Sequence, residues 1–271
     1  MPAAVALAAT VSIGVFGLFH PHELDVAPWG ASRVEVRCPG FQKILEGAAV
    51  ARLVAGCAAA GLKGADTDFL LSVPGRIRRH YRGTLKITQA SGELIASVTM
   101  ALETAVASTV AAEAPPDAAS AMLEAQAIVT RSYFAAGRGR HRDFDFCDTT
   151  HCQFLRDPPP EDSPAARAAR ATAGRVLTFH GHPFAAFYSA RCGGLLAPLP
   201  SASVGTDEYP YYAVRCEYCL RHPLEAKVKG RTVPRPHHHG MCQMGAADMA
   251  KQGRTAQEIL AHYYPGAEIE R

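Results

Sequence analysis

VASTVAAEAPPDAASAMLEAQAIVTRSYFAA, residues 106–136, decides how this chain is read. Alanine and valine surround one acid, Glu113, and no other charge occurs from Val106 to Pro116. Pro115 and Pro116 follow, and proline fixes φ and cannot continue a preceding helix. Leu102 to Ala112 therefore reads as one helix. A second is expected to start near Asp117, a good N-cap residue. Met122, Ala125, Val129 and Tyr133 recur at helical spacing, and Gly137 is placed to cap the end. Glu113 thus stands at a forced break between two apolar helices. A carboxyl group in such surroundings has its charged form disfavoured, which is how a glutamate becomes a proton donor near neutral pH. A solvated glutamate at a helix end is the plainer reading of the same residues.

Working outward, Phe69–Val73, Arg76–Thr88 and Leu94–Met100 read as strands, the last two joined by a turn at Ala90–Glu93 containing Ser91-Gly92. Val11–Phe19 alternates and reads as a first strand, and Ser32–Arg37 is strand-like. Phe41–Gly61 is alanine-rich and ambiguous. Beyond the central stretch, Ser163 caps a short helix ending at Gly174. A hairpin is expected from Arg175–His180 and Pro183–Ala190, turning at Gly181-His182. Pro198–Pro210 reads as a loop. Thr255 and Glu258 form a capping box for a last helix, ended by Pro265-Gly266. Strands run together and then interleave with helices, which predicts an α+β fold, mixed strands and helices around one core, with a β-rich N-terminal subdomain. The expected division is 1–72 for that subdomain and 73–271 for the main domain.

The chain has 271 residues, 48% of them hydrophobic, and a net charge of +3. That mild positive balance suits an acidic polymer without requiring one. Arg76, Arg78, His80 and Arg82 alternate along one predicted strand and share a face. Either a polyanion or solvent could meet it. Basic residues without interleaved aromatics argue against nucleic acid, and the absence of a Walker loop or dinucleotide fingerprint argues against a nucleotide. No cysteine or serine is placed with a recognisable base, or in an elbow, for nucleophilic catalysis. Before Glu23 there is no charge. No Lys or Arg precedes the apolar run as in a signal peptide, and glycine and polar residues break any membrane span. A truncated start, or a short export segment running straight into the domain, is expected.

Eight cysteines, Cys38, Cys57, Cys147, Cys152, Cys192, Cys216, Cys219 and Cys242, fit disulfides in an oxidising compartment. Two groups also suit a metal. Cys147, His151 and Cys152 lie together, with His141 just upstream. Two thiolates and two imidazoles make a closed tetrahedral zinc site. His151 and Cys152 can both ligate only in a turn, and Asp148-Thr149-Thr150 supplies turn chemistry. A Cys147–Cys152 disulfide, or free thiols, is the alternative. Cys216-Glu217-Tyr218-Cys219 is a CxxC, open to a second metal, a local disulfide or a redox pair. No thioredoxin-like pattern surrounds it. A disulfide or a metal shared with Cys192 or Cys242 is expected, with the partner not deducible.

Glu-Ala-Pro followed by LEAQAIVTRSYFAAG resembles the signature of the sporulation stage II protein D and amidase-enhancer LytB family (SpoIID/LytB), where an acid-Met-Pro turn precedes an Ala-rich helix ending Arg-Thr-Tyr. Three further stretches match in order: CDTTHCQFLRD at 147–157, ATAGRVLTFHGHPFAAFYSARCGG at 171–194, and HHHGMCQMGAADMAKQGRTAQEILAHYYPG at 237–266. The resemblance implies an extracytoplasmic protein of the cell envelope that acts on peptidoglycan glycan strands. It implies a lytic transglycosylase cleaving the MurNAc-β-1,4-GlcNAc bond with Glu113 as its single acid/base. LytB-type members act instead as enhancers of an N-acetylmuramoyl-L-alanine amidase, a second expectation from the same resemblance.

Arg131 and Tyr133 match the family's Arg-Thr-Tyr and would position substrate, and Tyr188 and Gln243 could hydrogen-bond N-acetyl groups. A buried arginine or tyrosine holding the core is the plainer role. His237 falls on the family histidine, in a place where the family has Gly-His-Gly-x-Gly-Met-Ser-Gln. With Gly240 and Gln243 it would line the cleft, although a structural turn serves equally for Gly240. Some members carry zinc at a matching cysteine-histidine block, which implies structural zinc at His141, Cys147, His151 and Cys152. Departures are Ala114 for the methionine after the acid, Ala118-Ala119 for bulkier residues, His238 and His239 for a glycine and a variable position, and Cys242 for serine.

Overall fold

The computed structural model describes residues 7–115, 117–198, 209–223, 227–228, 231–232 and 239–271. The fold is α+β with a β-rich N-terminal region, as expected. It divides into two compact units, one built from Ala8–Glu113 with Arg138–Glu161 and the other mainly from Ala114–Gly137 with Asp162–Arg271. The two helices flanking the proline break therefore belong to different units, and residue 72 falls inside a strand.

The first unit is built on strands β1 (Thr10–Val15), β2 (Leu24–Pro28), β3 (Val34–Cys38), β4 (Phe41–Leu45), β5 (Ala51–Leu53), β6 (Ala58–Ala60), β7 (Thr67–Val73), β8 (Ile77–Ala90) and β9 (Glu93–Ala101). Helix α1 (Leu102–Glu113) follows, and β10 (Phe146–Cys147) returns parallel to β1. The hydrogen-bonded order is β10-β1-β9-β8-β6-β3-β4, with β2 pairing β5 and β7, and β7 pairing β8. Alternation drives the pairing: β9 reads intermediate-buried throughout, with Leu94, Ala96, Val98 and Met100 facing the core. Ser91 and Gly92 both have positive φ at the expected β8–β9 turn, as a type I′ hairpin requires. Gly83 is obligatory: its φ is +149°, and a Cβ there would collide with the Thr99 carbonyl of the neighbouring strand. Cys38 and Cys57 form a disulfide. It lies in the 41–61 neighbourhood that composition left ambiguous, where three short strands form. β2 had no clear signal.

The basic row along β8 is tied in part to its neighbours. His80 is buried against Trp29, with Nε2 2.7 Å from Asp68 Oδ1, and Arg82 Nε reaches the same oxygen at 3.0 Å. Arg76 donates to the Phe19 carbonyl at 2.6 Å. Arg76, Arg78 and Arg82 stay exposed, so only His80 of this row is enclosed.

In the second unit helix α2 (Ser120–Ala136) packs against α3 (Pro164–Ala171), β11 (Val176–Phe179), α5 (Gln243–Lys251) and α6 (Ala256–Tyr263). The run from Ala125 to Phe134 is buried without interruption. This breadth of burial explains the weak polar face of α2 in sequence, since a helix surrounded on most sides needs none. It starts at Ser120, with Ala119 as N-cap; Asp117 has φ +58° and lies in the preceding turn. The expected start at Asp117 is therefore corrected. An Asp tolerates the left-handed region, and that conformation cannot begin a helix. Gly137 caps the other end, its N–H donating to Tyr133. Ser163 caps α3 through the Ala166 N–H, and the Thr255–Glu258 box caps α6.

β12 (His182–Pro183) pairs with β11, which β17 (Glu268–Glu270) flanks on its other edge. The turn lies at His180-Gly181, both with positive φ, one residue before the expected place. The strand expected through Ala190 stops early. Its later part, β13 (Tyr188–Ser189), leaves the hairpin to pair in parallel with β16 (Met241–Cys242). Between them lie α4 (Glu217–Arg221), β14 (Lys227–Val228) and β15 (Arg231–Thr232). Most of the expected 198–210 loop lies outside the described residues. Among the described residues, no helix is long and apolar enough to cross a membrane.

Candidate active site and metal-ligating clusters

Glu113 is the last residue of α1 and is partly exposed. The helix buries Ala105, Val106 and Val110 on one side, which sets its C-terminal turn at the edge of the unit. Oε1 accepts a hydrogen bond from the Phe154 backbone N–H at 2.7 Å. Arg156 lies within electrostatic reach: burial chiefly, then Arg79, lower its pKa, while Asp148, Tyr81 and Glu113 act in the opposite direction. The surroundings of this acid are therefore not the wholly apolar ones expected from its neighbours in sequence. A backbone donor and a guanidinium come from a loop about forty positions downstream.

That loop is braced at several points. Arg79 Nη1 meets Asp148 Oδ2 at 2.7 Å, with both side chains almost covered. Burial raises the Asp148 carboxyl above its ordinary value, against the pull of Arg79. Arg156 donates to the carbonyls of Asp148 and Leu155, and its guanidinium lies over the Phe154 ring. Upstream, the Asp145 carboxylate accepts from the N–H and hydroxyl of Ser12 at 2.9 and 2.8 Å.

His141, Cys147, His151 and Cys152 are brought together within the same loop, their ligand atoms all within 4.8 Å of one another. His141 Nε2 lies 3.3 Å from Cys152 Sγ, and His151 Nδ1 lies 3.7 Å from Cys147 Sγ and 3.5 Å from Cys152 Sγ. Both cysteines are free, not bonded to each other. Hydrogen bonding with Cys152 chiefly pulls the Cys147 thiol down to about 3, while the same contact pushes Cys152 up, so the pair holds one thiolate readily. Two sulfurs and two imidazole nitrogens in one partly exposed group have the donor chemistry of a four-coordinate metal site. The structure supports the grouping that the spacing pointed to, and these residues could hold a metal ion.

The residues expected on the substrate side lie in the second unit. Arg131 has no exposure; its guanidinium donates to the carbonyls of Arg175 at 3.0 Å, Ala169 at 3.1 Å and Ala127 at 3.4 Å. It closes the C-terminal end of α3, where carbonyls lack helical partners. Tyr133 is likewise buried, near Phe134 and Phe187. Gln243 begins α5 and donates from Nε2 to Gln126 Oε1 at 3.2 Å, and Gln126 donates in turn to Thr130 at 3.3 Å. Tyr188 is partly exposed on β13, opposite Met241. Gly240 has φ +72°, and a Cβ there would strike the Phe187 carbonyl, so its glycine serves the turn. His239 places Nδ1 2.7 Å from the Ala197 carbonyl. His237 lies outside the described residues.

Sequence reasoning missed Phe154 and Arg156 as partners of Glu113. The first acts through a backbone amide, which no residue type signals. It also left open the grouping of Cys192, Cys216, Cys219 and Cys242, whose ligand atoms lie within 4.8 Å of one another.

Residues 90–179 match the family model described as SpoIID, Stage II sporulation protein. The matched stretch runs from the end of β8 through α1, α2, the cysteine-histidine loop and α3 to the end of β11, and there the resemblance read from the motifs is borne out. No curated protein matches the chain.

Proposed function

We propose that the protein is a peptidoglycan lytic transglycosylase of the cell envelope, cleaving MurNAc-β-1,4-GlcNAc bonds with Glu113 as acid and base. The observation that carries this reading is the setting of Glu113. It lies inside the SpoIID-matched stretch, at a helix end, partly exposed, with one carboxylate oxygen oriented by the Phe154 N–H.

The chemistry needs one carboxyl group used twice. Protonated Glu113 gives its proton to the glycosidic oxygen as the C1–O bond breaks. The resulting carboxylate then takes the proton of the sugar's own 6-hydroxyl as that oxygen bonds to C1 and closes an anhydro ring. No water is consumed, and one acid suffices where an ordinary glycosidase uses two. The Phe154 N–H fixes the plane of the carboxyl through both steps, and Arg156 adds positive charge beside the carboxylate form.

Zinc at His141, Cys147, His151 and Cys152 belongs to the same proposal. The donor set fits a closed site, and when bound there the ion would supply folding energy and not chemistry. Its part would be to keep the 147–157 loop, and with it the Phe154 N–H, in place on Glu113. Tyr188, partly exposed, is proposed to meet an N-acetyl group, and His237 is proposed as a further substrate contact; Gln243, buried and bonded to Gln126, is proposed to act from beneath. Arg131 and Tyr133, enclosed as they are, are proposed to act from beneath by holding α2 and α3.

Incubation of the purified protein with peptidoglycan tests this, with products read by mass spectrometry. Anhydro-muropeptides are the expected product. Wall binding that releases none, yet accelerates an N-acetylmuramoyl-L-alanine amidase, would replace the transglycosylase with the enhancer role.

A further inference from the structure

Cys192, Cys216, Cys219 and Cys242 lie beyond the SpoIID-matched stretch, which ends at residue 179. All four are buried. Cys216 stands just before α4 and Cys219 lies within it. Cys242 ends β16 and caps α5, and Cys192 follows β13 in the loop. Three separate pieces of chain thus deliver four sulfurs to one point, all within 4.8 Å of one another.

The arrangement distinguishes between a disulfide pair and a shared ion. Two disulfides would join the sulfurs two by two, yet no disulfide links any of the four in a structure where Cys38 and Cys57 are bonded. A tetrahedron of thiolates about one ion at a Zn–S distance of about 2.3 Å places neighbouring sulfurs about 3.8 Å apart. Cys219 and Cys242 stand at 3.5 Å. A multi-iron cluster would set the sulfurs on separate iron atoms and spread them more widely.

The surroundings suit anionic sulfur. The Gly245 N–H donates to Cys242 Sγ at 3.4 Å, and the Tyr263 hydroxyl lies 3.5 Å from Cys216 Sγ, positioned to donate. A Cβ at Gly245 would stand only 2.6 Å from Cys216 Sγ and would also strike the Tyr263 hydroxyl. Only glycine lets α5 approach the sulfurs this closely.

We propose that Cys192, Cys216, Cys219 and Cys242 bind one zinc ion through four thiolates, at a site sharing no ligand with the His141 group. Four S–H bonds give way to four Zn–S bonds and four protons leave. With four protein ligands no coordination position is open, so the site is structural. It pins the paired ends of β13 and β16, where Ser189 stands opposite Cys242, next to Tyr188 and Gln243. That last consequence rests on the proposed function; the metal site itself does not.

The test is zinc content of the full chain purified without chelator, by elemental analysis and native mass spectrometry. Two zinc ions per chain are expected, one lost in Cys219→Ser and the other in Cys152→Ser. Thiol alkylation in denaturant, without reductant, should modify all four cysteines and leave Cys38–Cys57 joined. A single zinc that survives Cys219→Ser, iron in place of zinc, or a mapped disulfide among the four would overturn the site. If Cys219→Ser does not fold, the zinc retained by Cys152→Ser decides: loss of all metal there overturns the proposal. Zinc lost with Cys219→Ser but kept undiminished in Cys152→Ser would support this site and remove the one at His141, so the two proposals fail separately.

Discussion

The C-terminal end of α1 and the middle of α2 each carry a charged residue within the SpoIID-matched stretch, and the two are treated oppositely. Glu113 is partly exposed and takes a backbone N–H on one oxygen. Arg131 is wholly covered, and its guanidinium is directed at main-chain carbonyls of Ala127, Ala169 and Arg175. A buried cation bonded to carbonyls holds chain segments together, because removing it strands acceptors that no water can reach. A carboxylate at a helix end with room around it can exchange a proton with something outside. Membership of one motif therefore does not give two residues one role.

The sharpest way to break this contrast is Glu113→Gln. The amide oxygen still accepts from Phe154, so the melting temperature should hold, while release of anhydro-muropeptides should fall by about 10²–10⁴-fold. Wild-type turnover in this variant would remove Glu113 from the chemistry. Next in size is Cys152→Ser, which acts on the Glu113 side through the loop that carries the Phe154 N–H. One of the two zinc ions should be lost, and the melting temperature should drop on the order of 10 °C, at about 2–4 °C per kcal/mol for a domain of this size. Activity should fall with it, since the Phe154 donor is two residues away. An unchanged melting curve with no zinc in the wild type would dismiss the metal's part.

Arg131→Met should do the reverse of Glu113→Gln. It removes a buried donor from the carbonyls of Ala127, Ala169 and Arg175 and should cost about 2–4 kcal/mol in chemical denaturation. Turnover per folded molecule should stay near wild type. A stable Arg131→Met protein with weakened glycan binding would instead make the arginine a substrate contact. The smallest effect is expected from Glu124→Gln. Glu124 accepts a surface hydrogen bond from Ser120 at 2.8 Å, so stability should move by no more than about 0.5 kcal/mol and activity not at all. A large loss of turnover there would mean that Glu113 is not the only carboxylate at work.

Much of the fold could be read along the chain because its signals are local. Alternation placed β7, β8 and β9, Ser91-Gly92 marked their hairpin turn, Ser163 marked the start of α3, and the Thr255–Glu258 box marked α6. The cluster at 141–152 was legible for the same reason, since its four ligands lie within one loop. The position of Glu113 at a helix end followed from the prolines after it. The cap of α2 was misplaced by two residues because Asp117, a favoured cap by type, takes up a left-handed turn conformation and Ala119 stands at the cap.

Other features needed the folded chain. Alanine in 41–61 commits to neither helix nor strand, and only neighbouring strands made β5 and β6 extended. The donor on Glu113 is a peptide N–H, identical in every residue but proline, so nothing in the side chains announced Phe154. The CxxC of Cys216 and Cys219 was expected to share a disulfide or a metal with Cys192 or Cys242, but that all four sulfurs meet was decided by the parallel pairing of β13 with β16 and the close seat of Gly245. Spacing along a chain specifies contacts a turn or a strand apart. Contacts between distant segments are specified by which surfaces can be buried against each other, and that is a property of the packed molecule.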